Sequence, residues 1–136
     1  MHQIIAEYEG GLRTRAKHLK SGNEIVTDAP LDNHGKGEAF SPTDLAATAL
    51  ASCILTIMGI VGERKGFDLR KTRSEITKIM AENPRRISEI HVQIYFKMDF
   101  SKTDRKILEK AAHSCPVHQS LHQDLKKAII FNYPKS

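Results

Sequence analysis

Between Leu45 and Gly62 the chain carries no charged residue, and this run opens on a strong helix-start signal. In Ser41-Pro42-Thr43-Asp44, Ser41 is placed to cap the helix and Pro42 fits the first helical position, where no N–H is needed. Asp44 stands three residues beyond the cap and can bond back to it. The pattern predicts a helix running to about Gly62–Lys65. An uncharged run of about 18 residues meets the length criterion for a membrane span. Its make-up argues otherwise, because Ala46, Ala47, Thr48, Ala49, Ala51, Ser52, Thr56 and Gly59 are small or hydroxylated and no second span or flanking anchor accompanies them. A helix apolar on nearly every face must be buried on nearly every face. A chain of 136 residues has too little other material to cover it, so a second copy of the chain is expected to help, with no membrane involved.

Around this helix the pattern is mixed. Residues 3–9 and 12–20 read as extended, with Leu12, Thr14, Ala16 and His18 alternating with Arg13, Arg15, Lys17 and Leu19, and with Gly10-Gly11 and Ser21-Gly22-Asn23 as turns. A short strand over 24–27 runs into a loop from Asp28 to Gly37. After Gly66, residues 69–80 and 87–98 form a hairpin around Asn83-Pro84, the second strand alternating Ile90, Val92, Ile94, Phe96 and Met98 with polar residues. Ser101 and Asp104 repeat the capping pattern before a helix with Ile107, Leu108, Ala111 and Ala112 on one stripe. Pro116 starts another helix carrying Val117, Leu121 and Leu125, and Ala128–Phe131 closes the chain as a strand. The expected class is α+β in a single domain, residues 1–136, with antiparallel sheets around a long buried central helix.

The formal charge of +5 invites a nucleic-acid reading, but the basic residues are scattered along strands, aromatics make up 6% with no Trp, and no zinc-finger, KH or RNP pattern is present. No nucleic-acid partner is expected. Phosphate-binding glycine loops, Gly-x-Ser-x-Gly and His-Glu-x-x-His are missing from the sequence. The opening MHQIIAEYEG has none of the marks of a secretory signal, so a cytoplasmic location is expected. Two cysteines make no disulfide framework and point to redox chemistry, metal binding or plain burial.

Cys53 lies in the row Leu45, Ala49, Cys53, Ile57, Val61 at four-residue spacing, which suits a small buried hydrophobe as well as a nucleophile. Cys115 directly precedes Pro116, where a helix N-terminus aimed at the sulfur would favour its thiolate. His118 and His122 share a helix face in that reading, and with His113 and Cys115 they form a candidate zinc constellation that lacks a well-placed third or fourth ligand. Solvated histidines are the competing reading, and neither a metal nor another cofactor is expected.

The run Phe40-Ser41-Pro42-Thr43-Asp44-Leu45-Ala46-Ala47-Thr48-Ala49-Leu50-Ala51-Ser52-Cys53, followed by His113-Ser114-Cys115-Pro116-Val117, resembles the OsmC/Ohr family of thiol-dependent hydroperoxide reductases, nearer its OsmC-like branch. The resemblance implies an OsmC-like fold in an intertwined homodimer, with the long helices packed inside. It implies that Cys53 is the peroxidatic thiolate and that Cys115 resolves its sulfenic acid to a Cys53–Cys115 disulfide, which an external dithiol reductant reopens. The substrates would be small organic hydroperoxides and hydrogen peroxide, in oxidative-stress defence. Arg13, just after Gly10-Gly11, matches the family's catalytic arginine, and Arg15 is a rival on the same side of the strand.

The family's arginine-orienting glutamate is replaced here by Thr43, an auxiliary candidate that can accept a hydrogen bond from Arg13 but contributes no negative charge. Asp44, nine residues before Cys53 at about 100° per residue, falls on the far side of the helix and is assigned to capping. Glu38 would serve only if its loop folds back. That gap leaves an alternative open: a weakly active or non-enzymatic member that binds a hydrophobic small molecule at the dimer interface.

Overall fold

The computed structural model describes residues 1–135. They form β1 (Ile4–Gly10), β2 (Arg13–His18), β3 (Glu24–Asp28), α1 (Pro42–Lys65), β4 (Arg73–Ala81), β5 (Arg86–Tyr95), α2 (Lys102–His113), α3 (Pro116–Ser120) and β6 (Lys126–Asn132). The class is α+β, as expected, and the chain divides into two compact units, Met1–Ala46 and Ala47 onward.

The first unit is a three-stranded antiparallel sheet in the order β1-β2-β3. Gly10 and Gly11 both take positive φ in the β1–β2 turn, a conformation that glycine adopts without a Cβ penalty. The sheet has almost no apolar interior. The buried residues of this unit, among those described, are Thr27, Asp28 and Ser41, whereas Ile4, Ile5, Tyr8, Leu12 and Ile25 stay exposed. After β3 a short 3-10 turn (Leu31–Asn33) opens the loop to α1.

The start of α1 is the expected reciprocal cap. Asp44 N–H donates to Ser41 Oγ at 3.0 Å, and Ser41 N–H donates to Asp44 Oδ2 at 2.9 Å. The helix ends at Lys65, within the expected limits, and Gly66 follows with positive φ.

In the second unit, α1 contributes Ala47, Leu50, Ala51, Ile54, Met58 and Gly62 to the interior. They pack with Ile90, Val92, Ile94 and Phe96 from β5 and its end, and with Leu108, Ala112 and Cys115. By length and hydropathy α1 would also pass for a membrane span, yet its Leu50, Ile54 and Met58 make the core of this unit. One chain covers only part of the helix: Ala49, Ser52, Thr56 and Ile60 form an exposed stripe at three- and four-residue spacing.

The second sheet has the order β4-β5-β6, and it corrects one expectation. β4 and β5 pair antiparallel around a turn with a cis Asn83–Pro84 bond, but β6 pairs parallel to β5. Two helices separate β5 from β6, and a helical crossover returns the chain in its original direction. The expected hairpin also shortens, since residues 69–72 and 96–98 lie outside the strands. α2 is capped by Ser101 as expected. α3 is shorter than expected: Leu121 turns extended and ends it, leaving Leu125 beyond the helix.

Candidate active site

The first group of candidate side chains lies in the β1–β3 sheet. Arg13 and Asp28 are partners in the β2–β3 register and therefore point to the same face. The guanidinium donates from Nε to Asp28 Oδ1 at 2.7 Å and from Nη2 to Oδ2 at 2.8 Å. Asp28 is 1% exposed and the Arg13 side chain about a third. Glu38 N–H adds a third donor, to Asp28 Oδ2 at 3.2 Å. The Arg13 hydrogen bonds and charge hold the Asp28 carboxyl below the usual carboxylate range, and the Lys36 charge adds to this.

The loop over 29–40 does fold back, but Glu38 contributes its backbone N–H to Asp28. Its side chain carries charge near Arg13 and makes no hydrogen bond to it. Thr43 shares its hydroxyl with Ser41 Oγ at 3.1 Å. The rival Arg15 pairs with Glu9 at 3.0 Å, with both side chains well exposed. Asp28 is the residue that sequence reasoning missed. The signal was the hairpin: His18 N–H bonds Asn23 O across the turn, and that register carried back along the strands sets Arg13 opposite Asp28.

The second group lies in the α1–α3 unit. Cys53 sits half-buried on α1, between the buried row Leu50, Ile54, Met58 and the exposed stripe. Cys115 is fully buried at the junction of α2 and α3, where it is the N-cap of α3 and its Sγ accepts His118 N–H at 3.2 Å. The cap is as expected. Its electrostatic effect is not: burial dominates and raises the Cys115 pKa, with the His118 amide opposing and the neighbouring Cys53 raising it further. A helix of five residues offers too weak a dipole to reverse this. Residues 62 positions apart in sequence are thus brought into one neighbourhood, Cys53 packing against the buried cluster that contains Cys115 and acting on its thiol. Both thiols are free.

The candidate zinc set does not assemble. α3 ends at Ser120, so His122 leaves the face that carries His118, and its Nδ1 instead accepts Asp124 N–H at 3.0 Å. His118 is held below the usual imidazole range by burial, then by Lys127 and His113. Among the described residues no three His, Cys, Asp or Glu side chains gather to hold a metal.

A family model described as OsmC-like protein matches residues 35–129. The chain belongs to the OsmC-like family. Among solved structures, this OsmC-like chain is 50% identical to a Psychrobacter arcticus protein provisionally assigned to an osmotic stress induced and detoxification response, over 96% of each chain with a TM-score of 0.94. It is 17% identical to an organic hydroperoxide resistance protein OsmC from Legionella pneumophila, over 97% of this chain and 98% of that one, with a TM-score of 0.71. A Vibrio cholerae relative assigned provisionally to organic hydroperoxide resistance, with captopril in one of its active sites, is 16% identical over 97% and 92% of the two chains, with a TM-score of 0.75. The last two likenesses establish the fold. Comparison with functionally curated proteins returned no match.

Proposed function

We propose that this OsmC-like protein is a thiol-dependent peroxidase that reduces organic hydroperoxides, and hydrogen peroxide, in oxidative-stress defence. The observation that carries the proposal is that Cys53, half-buried, packs against the same buried cluster in which Cys115 is sealed. The Cys53 thiolate attacks the outer peroxide oxygen, the O–O bond breaks, and the departing alkoxide takes a proton and leaves as the alcohol. Cys53 is left as a sulfenic acid. Cys115, whose buried thiol keeps its proton while Cys53 reacts, then attacks the Cys53 sulfur. The S–S bond forms, and the Cys115 proton leaves with the displaced hydroxide as water. An external dithiol supplies the two electrons that reopen the disulfide. Arg13 is the cation assigned to hold the thiolate and to donate to the peroxide as charge grows on its leaving oxygen.

The working form is a cytoplasmic homodimer. Ile60 on the exposed α1 stripe and the open Ile4, Ile5, Tyr8, Leu12 and Ile25 of the β1–β3 sheet support it, because large apolar side chains left open together mark an interface.

One equivalent of cumene hydroperoxide is expected to remove two hydrogens from the protein mass and to leave Cys53→Ser unable to do so. An unchanged wild-type mass would end the proposal. A second reading, capture of an apolar small molecule without turnover, draws on a pocket of about 630 Å3 beside Leu55, Met58, Phe67 and Leu69. Turnover with a dithiol, together with native mass spectra free of retained ligand, would exclude it.

A further inference from the structure

The replacement of the family glutamate by Thr43 leaves Arg13 without its usual orienting residue, and the β2–β3 pair offers another. We propose that Asp28 is the positioning residue of Arg13, holding one edge of the guanidinium so that the other faces outward as a fixed donor for the sulfur and the peroxide.

Three observations carry this. The ion pair uses the side-on edge, Nε and Nη2, and Nη1 has no hydrogen-bond or ion-pair partner among the described residues. The guanidinium is about a third exposed while its carboxylate is sealed, so the pair is closed on the Asp28 side and open on the other. Asp28 itself is pinned. Its backbone N–H donates to Phe40 O at 3.1 Å, Glu38 N–H bonds its carboxylate at 3.2 Å, and the next residue donates to Leu12 O at 3.0 Å. A carboxylate that cannot turn fixes the plane of the fork it holds.

This inference rests on the peroxidase reading for its substrate, and a double-mutant cycle tests it. Single-turnover oxidation of Cys53 by cumene hydroperoxide is measured in wild type, Asp28→Asn, Asp28→Glu, Arg13→Ala and the Arg13→Ala/Asp28→Asn double variant. Asp28→Asn is expected to slow oxidation by at least about tenfold, since misplacing a catalytic group by a fraction of a bond length is costly. The same change is expected to do nothing further once Arg13 is gone. A wild-type rate in Asp28→Asn, or an equal slowing in both backgrounds, overturns the proposal. If Asp28→Asn does not fold, Asp28→Glu decides. It keeps the charge but shifts the fork by one methylene, and a rate equal to wild type overturns the proposal. Should wild-type Cys53 not react with peroxide at all, the peroxidase reading falls by itself. Alkylation of Cys53 by iodoacetamide then reads the same variants, slowing in Asp28→Asn if Asp28 positions Arg13 and unchanged if it does not.

Discussion

Gly35 packs against Ala29 so tightly that a Cβ on Gly35 would lie 1.7 Å from the Ala29 carbonyl oxygen. The contact closes the base of the loop that returns over Asp28, where Gly35 N–H bonds Pro30 O and Gly37 N–H bonds Ala29 O. Backbone on both sides leaves nothing flexible to give way. Gly35→Ala is expected to lower stability by about 1–3 kcal/mol, read as a fall in the denaturant midpoint. A midpoint equal to that of wild type would show that the loop can move aside.

Acid stability should depend on Asp28. Arg13 holds its carboxyl below the value of about 3.9 that a free aspartate has. A folded-state pKa below the unfolded one adds stability above the unfolded value and loses it as pH falls through the folded value. Urea denaturation at several pH values from about 6 downward should therefore show wild-type stability falling through this window, with a flatter curve for Asp28→Asn. Parallel curves would mean that the pair adds no acid dependence.

The exposed stripe of α1 gives a direct handle on the proposed homodimer. Thr56 sits at its middle, its hydroxyl already bonded to Ser52 O at 2.8 Å, so the position is part of the helix surface and outside the core. Thr56→Glu is expected to leave far-UV helicity in place while light scattering shows the mass of one chain. Scattering that still reports two chains would place the interface elsewhere.

Removing Cys115, the thiol proposed to resolve the sulfenic acid, should change the products and leave the first step intact. With Cys115→Ser, peroxide is expected to add about 16 and then about 32 mass units at Cys53, for sulfenic and sulfinic acid. The wild type should lose two hydrogens and resist the second oxidation. Over-oxidation at equal rates in both would remove Cys115 from the cycle.

Much of this was legible in local chemistry. Ser41-Pro42 and Asp44, Ser101 and Asp104, and Cys115-Pro116 each announce a helix start through groups within four residues, and each cap formed as expected. The alternation of Ile90, Val92 and Ile94 likewise gave β5 and its buried face. What was lost depends on distance along the chain. Asp28 looks like the first residue of a loop until the register of β2 on β3 is known. The direction of β6 depends on how α2 and α3 carry the chain across the sheet. The Cys115 electrostatics turned on the balance between a buried sulfur and one amide, and sequence shows only the amide.

The capping sulfur of Cys115 has a last consequence. Because the His118 amide hydrogen rests on a lone pair of that atom, any event that engages the sulfur, whether alkylation, oxygenation or a bond to another sulfur, weakens what that hydrogen feels. The His118 amide resonance is thus an intrinsic gauge of the redox condition of the chain, readable in solution without a dye, a tag or a consumed substrate.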